Sequence, residues 1–364
     1  MYTTHTNSRE TLANLTSRTI EWLRFPMAAM VVLLHTGALG IGSTQPVYRI
    51  LSILTSAAFC RLAVPCFFFV SGYLFFSGMQ EWNWQGYMRK LKKRVRTLFV
   101  PYVLWNLLAA VVIYLFSVWK TVKEGSAPVT FAEHISGWGG LWDAHTSFDG
   151  PLWFIRHLML LCLFSPLVWW LVKHFGLFWI GACTVALIFS SSFEGICTFS
   201  AGAFFQISGK NILREFGRIR IPAYILSVLF LSGIMLFYEN TALYLVFRGL
   251  FIICGIVSAF NLVSAGLGAG KLKVRPLLGQ SSFFIFAAHN IIILHEIAKW
   301  VVLHLIPGAG TELYNCIDLF LRPTIAVLIC VFLYWLMSKV APGLLALLTG
   351  GRTPNHARGV EYGS

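Results

Sequence analysis

Residues 20–37 read IEWLRFPMAAMVVLLHTG, and this stretch decides the class of the protein. It is largely apolar, and its length is about that needed to cross a bilayer. Arg24 and His35 lie eleven residues apart. That spacing is close to three α-helical turns, so both side chains are predicted to share one helix face, roughly 16 Å apart along the axis. Because ionisable groups inside a span are costly and usually functional, the pair indicates chemistry across a membrane.

The composition of the whole chain excludes a soluble domain. Of the 364 residues, 57% are hydrophobic and 12% are charged, and the mean hydropathy is +0.72. We therefore predict an all-α polytopic integral membrane protein with about ten transmembrane helices. Its predicted parts are a cytoplasmic N-terminal tail (1–18), a transmembrane domain (19–340) and a cytoplasmic C-terminal tail (341–364).

The net charge of +14 is explained by topology and not by nucleic-acid binding. Lysines and arginines cluster between the apolar runs, and with the N-terminus inside, most of the 28 fall on the cytoplasmic side. Most acidic residues fall on the opposite side. This asymmetry follows the positive-inside rule and predicts that both termini are cytoplasmic.

Each member of the first pair has a functional and a simpler interpretation. A neutral imidazole at His35 can act as a general base near neutral pH, or it can merely hydrogen-bond a neighbouring helix. The guanidinium of Arg24 suits phosphate in a fork geometry, or it can serve as an anchor that reaches the membrane surface. Taken alone, His35 is better explained by a functional role, and Arg24 is better explained as a membrane anchor.

A dense basic segment, MRKLKKRVR, occupies residues 88–96. Its simpler interpretation is a topology signal that also contacts anionic lipid headgroups. Its functional interpretation is a docking surface for an anionic cytosolic donor, with Lys92, Lys93 and Arg96 as candidates. The two interpretations are compatible.

Further polar side chains lie within the later apolar runs. His289 and Glu296 are seven residues apart, which in an α-helix places them on one face, so a polar stripe facing the interior is as plausible as ordinary helix packing. Arg156 is another intramembrane cation that needs a partner or a wet cavity. No spacing matches a set of metal ligands, and no metal site is predicted.

The longest predicted outer loop, about residues 120–150, contains Trp142 and Asp149 among other aromatic and acidic residues. Flat aromatic faces can cover a sugar ring, and carboxylates accept hydrogen bonds from its hydroxyl groups. The competing interpretation is an aromatic belt at the membrane interface with solvated acids. Both stay open at this point.

The glycine-rich run GLGAGK at residues 266–271 is not a phosphate-binding loop. That motif needs a glycine at the position of Ala265 and a serine or threonine at that of Leu272, and it follows a strand. We predict an ordinary loop here.

Taken together, several segments resemble the acyltransferase-three family of bacterial transmembrane acyltransferases. Phe286 replaces the usual tyrosine of that family, and Lys93-x-x-Arg96 replaces its common Arg-x-x-Arg. The resemblance is carried by Arg-x10-His at Arg24 and His35, VPCFFFVSGY at 64–73, the basic segment leading to Pro101 and Tyr102, GPLWFIRHL at 150–158 and SSFFIFAAH at 281–289.

The resemblance implies a multi-pass enzyme of the bacterial cytoplasmic (inner) membrane. It implies that acyl-CoA, usually acetyl-CoA, is the co-substrate and binds from the cytoplasm. The acyl group would pass to a hydroxyl of an envelope or exported glycan, with membrane lipid around the enzyme and no metal cofactor. It further implies that His35 is catalytic and that Arg24 supports the donor. The oligomeric state stays open.

Two alternatives remain at the level of the sequence. His35 can remove the proton of the acceptor during direct transfer, or it can carry a transient acyl group itself. The rival for the whole protein is a transporter or flippase that moves a sugar-lipid or a small solute without chemistry.

Overall fold

The computed structural model describes residues 2–127, 130–136 and 149–353. Within these ranges all regular secondary structure is helical, which confirms the all-α prediction. The α-helices are α1 (Tyr2–Ala38), α2 (Pro46–Ser52), α3 (Ala63–Phe75), α4 (Trp84–Arg94), α5 (Val100–Lys123), α6 (Phe131–Ser136), α7 (Trp153–Leu163), α8 (Ser165–Phe175), α9 (Leu177–Phe189), α10 (Glu194–Ile207), α11 (Ile212–Arg218), α12 (Arg220–Leu236), α13 (Thr241–Gly268), α14 (Pro276–Ala288), α15 (Lys299–Leu305), α16 (Glu312–Val340) and α17 (Pro342–Thr349).

Shorter segments of other helix types connect these helices. The 3-10 segments are Phe59–Leu62, Gly150–Leu152 and Ser191–Phe193, and the π-helical segments are Ile53–Ala58, Val95–Phe99 and His289–Ala298. A π-helix bonds residue i to i+5, so its turn is wider than that of an α-helix, and such segments are frequent at functional sites.

The described residues contain five helical segments that are long and apolar enough to cross a membrane, or up to seven if two bent pairs each count as one span. The bends measure 66° between α7 and α8 and 74° between α11 and α12. The helix α1 is not among the five, since Glu21, Arg24 and His35 lower the hydropathy of its apolar stretch. The five segments are Pro46–Phe75, Trp84–Lys123, Thr241–Gly268, Pro276–Leu305 and Glu312–Val340.

Both predicted tails contain ordered helix. The helix α1 begins at Tyr2, well before the predicted start of the membrane domain. After residue 340 the chain forms α17, which packs on α5: the indole Nε1 of Trp105 donates to the carbonyl oxygen of Leu348 at 2.8 Å. Leu345 of α17 is fully buried.

The chain divides into two compact units. The first comprises Met1–Lys90 and Leu160–Gly279, and the second comprises Leu91–Met159 and Gln280–Ser364. The two units interleave in sequence, so each is built from segments far apart along the chain.

The closest helix packing in the first unit joins α3 to α10. A Cβ atom at Gly72 would lie 2.0 Å from the carbonyl oxygen of Phe199, and one at Gly202 would lie 2.0 Å from that of Phe69. Because glycine has no side chain, the backbone of the other helix can approach closely at each of these positions. Small residues allow such close packing between membrane helices. Beside this crossing, the Phe69 ring packs against those of Phe216 and Phe260 at centroid distances of 5.9 and 5.5 Å.

The second unit is organised around α5, α14 and α16. The ring of Phe284 on α14 contacts Trp105 and Tyr334 at centroid distances of 5.4 and 6.0 Å. Asp318 and Arg322 form a buried ion pair one turn apart on α16. Pairing lowers the cost of burying either charge.

Candidate active site

Arg24 and His35 lie on α1, which runs unbroken from Tyr2 to Ala38. The prediction that they share one face requires a continuous α-helix between them, and α1 is such a helix. Both side chains are half-buried. A half-buried imidazole and a half-buried guanidinium, separated by about three turns, can contact two parts of one elongated ligand.

The backbone around His35 is fixed by the π-helical segment Ile53–Ala58. The buried hydroxyl of Ser56 donates to the carbonyl oxygen of Leu34 at 2.8 Å. The hydroxyl of Tyr244, on α13, donates to the carbonyl oxygen of Ala57 at 3.1 Å. The residue preceding His35 is therefore tied to a segment that is itself tied to α13, which fixes the backbone beside His35.

A buried ion pair lies elsewhere in the first unit. Arg248 of α13 pairs with Glu194 at the start of α10, and their residues are 5% and 8% exposed. Arg61 also acts electrostatically on the Glu194 carboxylate. An intramembrane Arg248 needs a partner, but its spacing of 54 residues from Glu194 gives no sequence signal that identifies it.

Asp149, Arg156 and His289 are all buried in the second unit. Burial raises the pKa of the Asp149 carboxyl group well above its ordinary value. Arg156 acts electrostatically on the phenol of Tyr102. The ring Nδ1 of His289 lies 2.9 Å from the carbonyl oxygen of Phe286, so Nδ1 carries the proton in that contact.

The expectation that His289 and Glu296 share one face is wrong. His289 is fully buried, whereas Glu296 is exposed. The reason is the π-helical geometry of His289–Ala298. In its wider turn, seven residues do not complete two turns.

Residues of the basic segment 88–96 differ in their contacts and exposure. Lys90 donates from Nζ to the carbonyl oxygens of Phe75 and Ser77, both at 2.6 Å, and so caps the end of α3. Lys92, Lys93 and Arg96 are exposed and belong to the second unit. Their exposure suits attraction of a mobile anion.

Two other sequence predictions concern Trp142 and the glycine-rich run. Trp142 lies outside the described residues. Gly266 and Gly268 of the glycine-rich run lie in the last turn of α13 and not in a loop, while Gly270 lies in the turn that follows. Within the described part of the chain, no group of three His, Cys, Asp or Glu side chains is arranged to hold a metal ion.

Comparison with known proteins assigns the family. Residues 18–339 match the family described as acyltransferase domain, which is most of the chain and includes parts of both units. The chain belongs to this acyltransferase family. It is also 28% identical over 325 residues to the succinoglycan biosynthesis protein ExoH of Rhizobium meliloti (strain 1021), covering 83% of this chain and 82% of that protein. No solved structure matches the chain.

In this acyltransferase, the structure gives physical roles to residues of the resembling motifs. Gly72 of the Ser-Gly-Tyr motif is the point where α3 contacts α10. Phe286, which stands in the place of a tyrosine, packs edge-to-face on Phe154 of the 150–158 motif at a centroid distance of 5.6 Å. These motif residues pack helices together, each within its own unit.

Proposed function

We propose that this acyltransferase moves an acetyl group from cytoplasmic acetyl-CoA to a hydroxyl of an envelope or exported glycan. The observation that carries the proposal is the placement of Arg24 and His35 on one unbroken helix within the matched family region. The similarity to a succinoglycan biosynthesis protein supports a carbohydrate acceptor.

His35 acts as the general base of the transfer. Its neutral imidazole accepts the proton of the acceptor hydroxyl as the oxygen attacks the thioester carbonyl carbon. The C–S bond then breaks, and the leaving thiolate takes the proton from the imidazolium. A two-step route through an acyl-imidazole at His35 uses the same residues and differs in its covalent intermediate.

Arg24 supports the donor, and the exposed cations attract it. The guanidinium of Arg24 forms charge-assisted hydrogen bonds with a phosphate of CoA. Lys92, Lys93 and Arg96 raise the local concentration of the anionic donor without holding it in one place. The candidates for binding the acceptor or supporting the site are Asp149, Arg156 and His289, which are buried, together with Trp142 and Glu296.

Consumption of the thioester tests the proposal directly. Purified protein in lipid nanodiscs is given acetyl-CoA with a polysaccharide acceptor, and release of free thiol is followed together with the mass of the glycan. We expect thiol release and a glycan heavier by one acetyl group. A transporter without chemistry would leave both unchanged and would refute the proposed function.

The proposed topology has about ten spans with both termini cytoplasmic, in the bacterial inner membrane. Reporters fused after Arg96, Arg220 and Arg275 are expected to report the cytoplasm, because basic residues stay inside. A reporter fused after Ser147 is expected to report the outside. An inside signal at Ser147 would overturn the proposed span count and the entry of donor and acceptor from opposite sides.

Replacement of Arg24 with alanine is expected to raise the KM for acetyl-CoA about tenfold, because one charge-assisted phosphate contact is lost. Conversion of Lys92 and Lys93 to glutamine is expected to raise it less, and the effect should fade at high salt. Initial rates at varied donor and acceptor concentrations, at low and high ionic strength, check both. Changes confined to the KM for the acceptor would contradict the donor assignment.

A further inference from the structure

A cavity of about 520 Å³ opens beside α1 in the first unit. One wall is α1 itself, through Trp22 and Phe25, and the other walls are residues 271–275 and the first turn of α14. Its volume lies in the range of small-molecule sites. None of its lining residues has a role in the proposed chemistry.

The loop of residues 271–275 is folded so that its cations are exposed. Leu272 donates its backbone N–H to the carbonyl oxygen of Gly266 at 3.0 Å, and its side chain lies over that glycine, where a Cβ would come within 2.6 Å of it. Leu272 and Val274 are half-buried, while the alternating Lys271, Lys273 and Arg275 are exposed. The alternation therefore brings three cations to the rim of the cavity.

The opposite wall brings aromatic surface close to these cations. Trp22 and Phe25 are half-buried on α1 and line the cavity. A Cβ at Gly279 would lie 3.3 Å from the carbonyl oxygen of Glu21, so the first turn of α14 packs closely against α1. The cavity is thus bounded by two packed helices and one anchored loop.

The cavity lining contains three cations and one carboxylate, that of Glu21. Its net positive charge favours an anionic ligand. Aromatic faces select a flat ring, since bases stack on aromatic side chains with little dependence on their identity. Glu21 can accept hydrogen bonds from an exocyclic amine or from ribose hydroxyls. A ligand with a flat, amine-bearing ring and several phosphates satisfies all three features.

We propose that this cavity binds the adenosine 3′,5′-bisphosphate end of coenzyme A. The inference rests on the proposed use of an acyl-CoA donor and adds the place where its nucleotide is held. Glu21 precedes His35 by fourteen residues, roughly 21 Å along the helix axis and close to four whole turns, which leaves room for an extended pantetheine arm along one face of α1. Arg24 follows Glu21 by three residues, so the two side chains are neighbours on the surface of α1.

A second basic cavity of the same unit provides the matched comparison. It measures about 1020 Å³ and includes Lys210, Arg214 and Tyr224 in its lining. It offers one aromatic ring where the first cavity offers two. It also presents three cations, so it separates a charge effect from a specific site.

The test compares two donors on the purified full-length enzyme. Acetyl-CoA carries the nucleotide, whereas S-acetylpantetheine lacks it. For Lys273→Gln/Arg275→Gln and for Trp22→Ala, we expect the KM for acetyl-CoA to rise at least about tenfold and kcat/KM for S-acetylpantetheine to stay at the wild-type value. Normal use of the truncated donor also shows that each variant is folded.

The control variant is Lys210→Gln/Arg214→Gln, which is expected to leave the KM for acetyl-CoA unchanged. An equal loss with both donors, an unchanged KM in the cavity variants, or the larger effect in the control variant would overturn the inference. Calorimetric titration with adenosine 3′,5′-bisphosphate gives an independent readout, with binding expected to the wild type and lost in Lys273→Gln/Arg275→Gln. If the wild type consumes neither donor, the proposed function fails, and this titration still decides whether the cavity binds the nucleotide.

Discussion

Replacement of His35 with alanine is expected to lower acetyl transfer by a factor of about 10² to 10⁴, because general-base catalysis supplies an acceleration of that size. The fold should survive. The Ser56 hydroxyl bonds the backbone carbonyl of Leu34, and this contact does not depend on the side chain at position 35. The variant should therefore reach the membrane at wild-type levels and fail in chemistry alone.

The measurement is thiol release from acetyl-CoA by the purified variant, with His304→Ala as the matched control. His304 is exposed on α15, and its ring Nδ1 bonds the carbonyl oxygen of Trp300, one turn earlier, at 2.8 Å. The control is expected to turn over normally. Wild-type turnover in His35→Ala would remove His35 from the reaction, and an equal loss in both variants would point to a general effect of the substitutions.

The second large effect is expected at the crossing of α3 and α10. Alanine at Gly72 or Gly202 would place its Cβ 2.0 Å from a backbone carbonyl oxygen of the other helix. Backbone atoms cannot rotate away, so the helices must separate, and the packing of the neighbouring phenylalanine rings is lost with them. We expect each variant to lose about 3 kcal/mol in the free energy of unfolding, the upper end of the usual cost of overpacking.

Thermal unfolding in detergent checks this prediction, with Gly181→Ala as the control. Gly181 also lies within a helix, α9, but a Cβ there would have no atom of another described segment within 4 Å. Alanine at that position should be neutral or stabilising, by up to about 1 kcal/mol, because glycine is the poorer helix former. If Gly72→Ala or Gly202→Ala unfolded at the wild-type temperature, the close approach of the two helices would be refuted.

The helical class and the main candidate pair were accessible from the sequence because both depend on local regularities. Long apolar runs predict helices, and the fixed rise and twist of the α-helix place Arg24 and His35 on one face. The unbroken α1 is consistent with that placement. The glycine of the Ser-Gly-Tyr motif was visible as well, but its role as a crossing point was not, since its partner Phe199 lies more than a hundred residues away.

Features that depend on distant contacts or on irregular helix geometry were not accessible. The assumption of 3.6 residues per turn failed at His289–Ala298, where a π-helix buries His289 and exposes Glu296. Lys90 could not be distinguished from Lys92 and Lys93 by spacing, yet it alone of the three is bonded to the end of α3. Such roles follow from which carbonyl groups happen to be near, and that is decided by tertiary packing.

The ion pair of Glu194 and Arg248 has a consequence for the biogenesis of the protein. Glu194 is synthesised 54 residues before its partner. An unpaired arginine within a membrane helix is costly to insert, by up to about 2.5–3.5 kcal/mol at the helix centre. Insertion of α13 into the membrane is therefore most favourable when α10 is already present, because Glu194 can then pair with Arg248. The order of the two helices along the chain satisfies this requirement, because α10 is synthesised before α13.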